Sequence, residues 1–188
     1  NKIKNKIKTL SFFPLVFIIG MSFYIDMNLY NKQSKLVDVK EIINLNEKIS
    51  LLLHETQKER GITSSFLGTK GTKFKDTLIT QKEHTNKNIE EYKKTINKIS
   101  VEKYPENGKN LIDNVLKELS SIQNIRSDVD SLAIDAKKAI AYYTDLNATL
   151  LSFVALTSTI ADSESTIKSI IAYYNFLMAK ERAGIERA

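Results

Sequence analysis

The chain contains no cysteine, only two prolines, six glycines and two histidines in 188 residues. Without cysteine there is no disulfide framework, thiolate metal site or thiol nucleophile, and the redox compartment is left open. Few prolines and glycines, set against abundant Lys, Ile, Leu, Asn, Ser and Glu, favour long helices over strands and tight turns. An all-α chain is therefore expected, long enough for one domain or one domain plus an extension. His54 and His84 are too few for most metal sites. His54-Glu55 also lacks the second histidine four residues on that a zinc-protease helix carries, so no metal is expected. Ser64-Ser65 has no base to call on beyond those two histidines, no glycine-rich phosphate loop follows a strand, and no carboxylate pair is set apart. No catalytic residues, cofactor or enzymatic activity are expected.

Arginine is scarce too: of 28 basic residues only Arg60, Arg126, Arg182 and Arg187 are Arg. Three of the four lie in a motif that occurs twice, HETQKERGITSSFL at His54–Leu67 and AKERAGIERA at Ala179–Ala188. At ~100° per residue, Ile42, Leu45, Ile49, Leu53 and Leu67 share one helical stripe, and Arg60 falls near its middle. A lysine-rich chain that keeps arginine for this motif implies a need for the planar, bidentate cation. That cation suits buried pairing and planar oxyanions better than an ammonium does. A structural salt bridge between Arg60 and a neighbouring Glu is the competing explanation.

The net charge of +6 is not a nucleic-acid signature, because Lys2, Lys4, Lys6 and Lys8 carry four of it and the remainder is nearly balanced. Leu10 to Ile25 is free of charge and rich in Phe, Leu and Ile. With Thr9 it reaches the ~17-residue lower limit of a spanning helix, and Tyr24 and Tyr30 are placed for the outer interface. Pro14 lies in the first turns, where a span tolerates it. Residues 1–30 thus read as a cytoplasmic basic start and membrane anchor, with the rest outside the cytoplasm. A cleaved signal peptide is the alternative, although Gly20-Met21-Ser22 is a poor cleavage site.

From residue 31 the pattern is helical to about Leu67, with Gly68-Thr-Lys-Gly71 as cap and turn and Gly61 as a small face for close helix approach. A second helix from Phe74 carries Leu78, Gln81, Thr85, Ile89, Tyr92, Ile96 and Ile99. A third runs from about Lys109 to Asp130 on Leu111, Val115, Leu119, Ile122, Ile125 and Val129. Asp135 is the expected N-cap of a fourth, with Ile140, Tyr143, Leu146, Leu150, Val154 and Ile160. Asp162-Ser-Glu-Ser165 opens a fifth, with Ile167, Ile170, Ile171, Tyr174, Leu177, Met178 and Ile185. Short connections make residues 31–188 an antiparallel up-and-down bundle into which the membrane helix continues. Reflecting positions through successive turns, at ~1.5 Å per residue, puts all four arginines near one height. Gln81 and the Tyr142-Tyr143 pair fall at the same level. The expected binding residues are Arg60, Arg182, Arg126, Gln81, Tyr142 and Arg187, in which the arginines gather around a small anion. Neutralisation by Glu59, Glu181 and Glu186 is the internal alternative.

At these residues the chain resembles the nitrate- and nitrite-sensing domain of bacterial receptors. The resemblance rests on HETQKERGITSSFLGTKGTKFKDTLITQKEHTN, Ile125-Arg126, Ala141-Tyr142-Tyr143-Thr144…Asn147 and Phe176-Leu177…KERAGIERA, and covers roughly His54 to Ala188. It implies a helical bundle whose arginines bind nitrate or nitrite. Such domains are attached to chemotaxis transducers, sensor kinases, cyclic-dinucleotide enzymes or RNA-binding antiterminators. The expected partners are a small inorganic anion, the membrane and a second copy of the chain in a homodimer, with no nucleic acid. The expected location is the cytoplasmic membrane, with the sensor part periplasmic or extracellular. An odd number of helices after the membrane suggests the front part of a longer receptor. The alternatives are a sensor of another small anion, or a structural or dimerisation bundle with internal Arg–Glu pairs.

Overall fold

Helix-type periodicity with few interior breakers carries through to the computed structural model, which describes residues 2–101, 104–161 and 163–187. The side chains of 2–13, 15 and 30–39 are not among those described. Lys2, Lys4, Lys6, Lys8, Tyr30 and Asp162 therefore lie outside the described residues or side chains. Five α-helices account for most of the described chain: α1 (Lys2–Gly68), α2 (Lys75–Ile96), α3 (Glu106–Asp130), α4 (Ala136–Ile160) and α5 (Glu164–Arg187). The chain divides into two compact units, Asn1–Lys40 and Glu41–Ala188.

In the first unit, Val16 to Leu29 is a shorter apolar helical stretch. Its large side chains are exposed, Phe17, Ile18, Ile19, Phe23 and Tyr24 to 60 % or more. Among the described residues only α4 is long and apolar enough to cross a membrane, and its apolar side chains are largely those of the bundle core.

In the second unit, each helix contributes a stripe at spacings of three and four. Leu45, Ile49, Leu52 and Leu53 of α1 meet Ile89, Tyr92 and Ile96 of α2. Ile112, Val115, Leu119 and Ile122 of α3 and Tyr143, Leu146, Leu150, Phe153 and Val154 of α4 close the same core. The fifth helix is held more thinly. Ile170, Leu177 and Glu181 are its buried residues, whereas Ile171 and Ile185, expected on its apolar face, are each 45 % exposed. Ile171 lies about 100° off the seam that Ile170 and Leu177 define, and Ile185 about 70° off it.

The helix ends explain the turns. Gly71 N–H donates to Phe66 O (3.0 Å) and Lys70 N–H to Leu67 O (2.9 Å), a Schellman closure with Lys70 left-handed at φ 50°. Gly68, expected to be the cap, is instead the last helical residue. Ala133 N–H to Asp128 O and Leu132 N–H to Val129 O close α3 in the same way, with Leu132 at φ 57°. Leu132 packs beside Gly71, so the two turns meet. Asp135 accepts from Lys137 N–H (3.2 Å) and caps α4 as expected. Ser163 accepts from Thr166 N–H (3.1 Å) and starts α5. The third helix begins at Glu106, earlier than Lys109, because Pro105 O already accepts from the N–H groups of Gly108 and Lys109.

Candidate functional site

Two arginines occupy core positions in otherwise apolar stripes, and each meets a carboxylate from another helix. Arg60 is 1 % exposed; Nη1 donates to Glu181 Oε1 and to Thr144 Oγ1 (3.1 Å), and Nη2 donates to Glu181 Oε2 (3.3 Å). Arg126 is 3 % exposed and continues the buried α3 series Ile112, Val115, Leu119, Ile122 to Val129. Its Nε and Nη2 reach Glu59 at 2.7 and 2.8 Å, and Nη1 reaches Asn86 Oδ1 at 2.6 Å. Glu59, fully buried, also accepts from Tyr143 OH at 2.7 Å. A buried charge is tolerable only when paired and hydrogen-bonded, and both pairs meet that condition. Burial works against the Arg126 cation, but its bond to Glu59 more than offsets this and raises its pKa. Burial, reinforced by the Glu59 charge, pushes the Tyr143 phenol well above its ordinary value, so it stays a donor.

Further hydrogen bonds complete the layer. Glu181 accepts from Gln57 Nε2 (2.7 Å) and Asn147 Nδ2 (3.4 Å), and Asn147 Oδ1 accepts from Thr56 OH (2.6 Å). Gln81 Nε2 donates to Glu55 Oε2 (2.6 Å), and Thr85 OH donates to Gln81 O. The polar interruption of the α2 stripe is thus a buried, satisfied network.

Beside this layer, between α1 and α5, lies a cleft of about 340 Å³ lined by His54, Gln57, Lys58, Gly61, Lys180, Gly184 and Arg187. Three of these are cations and none is a carboxylate. Lys180 Nζ lies 2.7 Å from His54 Nδ1, and Lys58 is paired with Glu55 at 3.0 Å. Burial, then Lys180, lowers the His54 pKa; burial and Lys58 lower that of Lys180 against the pull of Glu55 and Glu181. Positive charge is crowded here, and an anion would relieve it. Gly61 leaves open space rather than a close helix approach: nothing would lie within 4 Å of a Cβ there. At Gly184 a Cβ would sit 2.8 Å from Arg60 Nη2, so the missing side chain admits the guanidinium to the edge of the cleft.

Of the six expected binding residues, the structure brings Arg60, Arg126 and Gln81 into one layer and sets Arg187 on the cleft wall, its Nε donating to Ala183 O. Arg182 is exposed. Tyr142 is half-buried and bonds Glu118 O (2.7 Å) instead; the layer takes Tyr143, one residue and ~100° away. Glu59 and Glu181 are the internal partners that the alternative named, while Glu186 is exposed. Gln57, Asn147, Lys58 and Lys180 were missed as site residues. The doubled motif held a signal for two of them: Lys58-Glu59-Arg60-Gly61 and Lys180-Glu181-Arg182-Ala183-Gly184 each give their lysine and their glycine to the lining of the cleft.

Among the described residues the chain is thus an all-helical bundle with buried Arg–carboxylate pairs beside a cationic cleft. The family model described as nitrate and nitrite sensing matches residues 51–188, and the chain belongs to that family. No curated protein matches the chain. Among solved structures, the NasR transcription antiterminator is similar in fold, with a TM-score of 0.78 at 20 % identity over 82 % of this chain. The match spans 42 % of that protein's chain, so this chain corresponds to under half of its length.

Proposed function

We propose that the bundle is the ligand-binding region of a bacterial transmembrane signalling receptor, held outside the cytoplasm and binding nitrate or nitrite between α1 and α5. The observation that carries this is the cationic cleft, whose wall residue Gly184 lies against the Arg60 guanidinium, in a chain of the nitrate- and nitrite-sensing family. A planar monoanion suits bidentate guanidinium contacts, and the cations of the wall steer it inward. Arg60 is the proposed contact residue, with Lys58, Lys180 and Arg187 around it. Arg126 and Gln81 brace the layer through Glu59 and Glu55. Arg182, ~100° round α5 from Glu181, reaches the anion if α5 turns. The exposed apolar stretch of Val16 to Leu29 supports membrane anchoring. Signalling through a homodimer to an output module, a chemotaxis transducer among the choices, completes the proposal.

Titration calorimetry of the full chain with nitrate, nitrite and a chloride control tests it. Saturable heat from nitrate or nitrite above the chloride background is expected, and a folded sample silent at millimolar ligand refutes it. The two Arg–Glu pairs favour a second reading, a structural or dimerisation bundle. That reading requires that no small anion raise the melting temperature.

A further inference from the structure

Glu181 is a carboxylate in the position that a planar oxyanion would take. Its oxygens receive Arg60 Nη1 and Nη2, Gln57 Nε2 at 2.7 Å and Asn147 Nδ2 at 3.4 Å, all donors supplied by α1 and α4. A nitrate or nitrite offers the same flat, resonance-shared acceptors as a carboxylate, so donors arranged for one are arranged for the other. The seat is not sealed, because Gln57 both bonds Glu181 and lines the cationic cleft. The occupant is also the polar member of a thin attachment, since α5 buries Ile170, Leu177 and Glu181 among its described residues.

We infer that Glu181 is a built-in surrogate ligand, and that the sensed oxyanion enters by displacing its carboxylate from Arg60, Gln57 and Asn147, which releases the C-terminal half of α5 from α1. This rests on the proposed anion-sensing function and adds its competitor and its moving part. The crowded cations then have two uses. Lys58, Lys180 and Arg187 gather the incoming anion, and Lys180 and Arg187 lie on the same helix as the departing carboxylate. The resting protein therefore binds with an apparent affinity reduced by the small fraction of time the seat stands free.

The experiment compares nitrate and nitrite affinity of the full-length wild type with Glu181→Gln and Glu181→Ala, each checked for helical content. It adds backbone hydrogen exchange of residues 177–187 in the wild type with and without nitrate. Neutralising the occupant weakens a charge-assisted grip, so both variants are expected to bind nitrate roughly tenfold more tightly. In the wild type, nitrate is expected to speed exchange of the α5 amides, a measurement that does not depend on either variant folding. Wild type that binds nitrate, with variants no tighter and α5 amides unchanged or slower, overturns the exchange and leaves anion sensing intact. A folded wild type silent at millimolar nitrate overturns the exchange together with the function it rests on, even where Glu181→Gln binds.

Discussion

Replacing Arg126 with Met keeps an unbranched stem in the α3 seam and removes the guanidinium. Glu59, with no exposed surface, then keeps Tyr143 OH as its remaining hydrogen-bond donor at 2.7 Å. Stranding a buried charge in this way costs about 3 to 5 kcal/mol. For a chain of this size each kcal/mol moves the melting temperature by about 2 to 4 °C, so a fall of about 6 to 20 °C is expected. Making the whole cluster apolar, with Glu59→Leu, Arg126→Met and Tyr143→Phe together, leaves no buried charge stranded. That variant is expected to regain most of the loss, because a buried pair contributes little over well-packed apolar replacements. Thermal and urea unfolding followed by far-ultraviolet circular dichroism measures all of these. If Arg126→Met melts within about 2 °C of wild type, or the triple variant is no more stable than the single one, the cluster is not a buried, mutually neutralising unit.

Gly184→Ala pushes a Cβ to 2.8 Å from a guanidinium pinned by Glu181 and Thr144, and is expected to lower stability by about 1 to 3 kcal/mol in the same assay. Gly61→Ala, with nothing within 4 Å, is expected to raise stability by up to about 1 kcal/mol through helix propensity while its methyl fills the cleft and weakens nitrate binding by calorimetry. His54, its pKa lowered by burial and Lys180, is neutral in the resting cleft; a bound anion favours its protonated form. Nitrate affinity is therefore expected to rise as pH falls through and below His54's ordinary range, and His54→Gln to flatten that profile. With no anion the same lowered pKa acts oppositely on the fold: its contribution is full above that range and lost as pH falls, because the unfolded chain takes the proton more readily. Lys70→Gly removes a left-handed strain at φ 50° and is expected to stabilise by roughly 0.5 to 1 kcal/mol, read by thermal melting.

The helices were legible because their apolar spacing is regular and their breaks are chemical: Pro105, Asp135 and Ser163 each mark a boundary. The common height of Arg60, Arg126 and Gln81 was also legible, since helical rise is the same everywhere. Phase was harder to read. Of the Tyr142-Tyr143 pair it is Tyr143 that enters the layer, and one residue on a helix is more than a quarter turn. Gly68 looked like a cap by composition, yet the left-handed turn fell on Lys70, a type with no preference for it. Pairing was the least visible property. Whether Arg60 meets Glu181 or a carboxylate of another helix depends on which helix lies beside α1, and no local pattern carries that information.

Glu59 and Arg60 are consecutive, opposite in charge and committed to different helices, Glu59 to α3 and Arg60 to α5. Turning this part of α1 by one residue about its own axis would present Glu59 to Glu181 in one sense, or Arg60 to Arg126 in the other. The two adjacent side chains therefore act as a key with opposite teeth. They fix the angular setting of the rod in the bundle and its height against both neighbours.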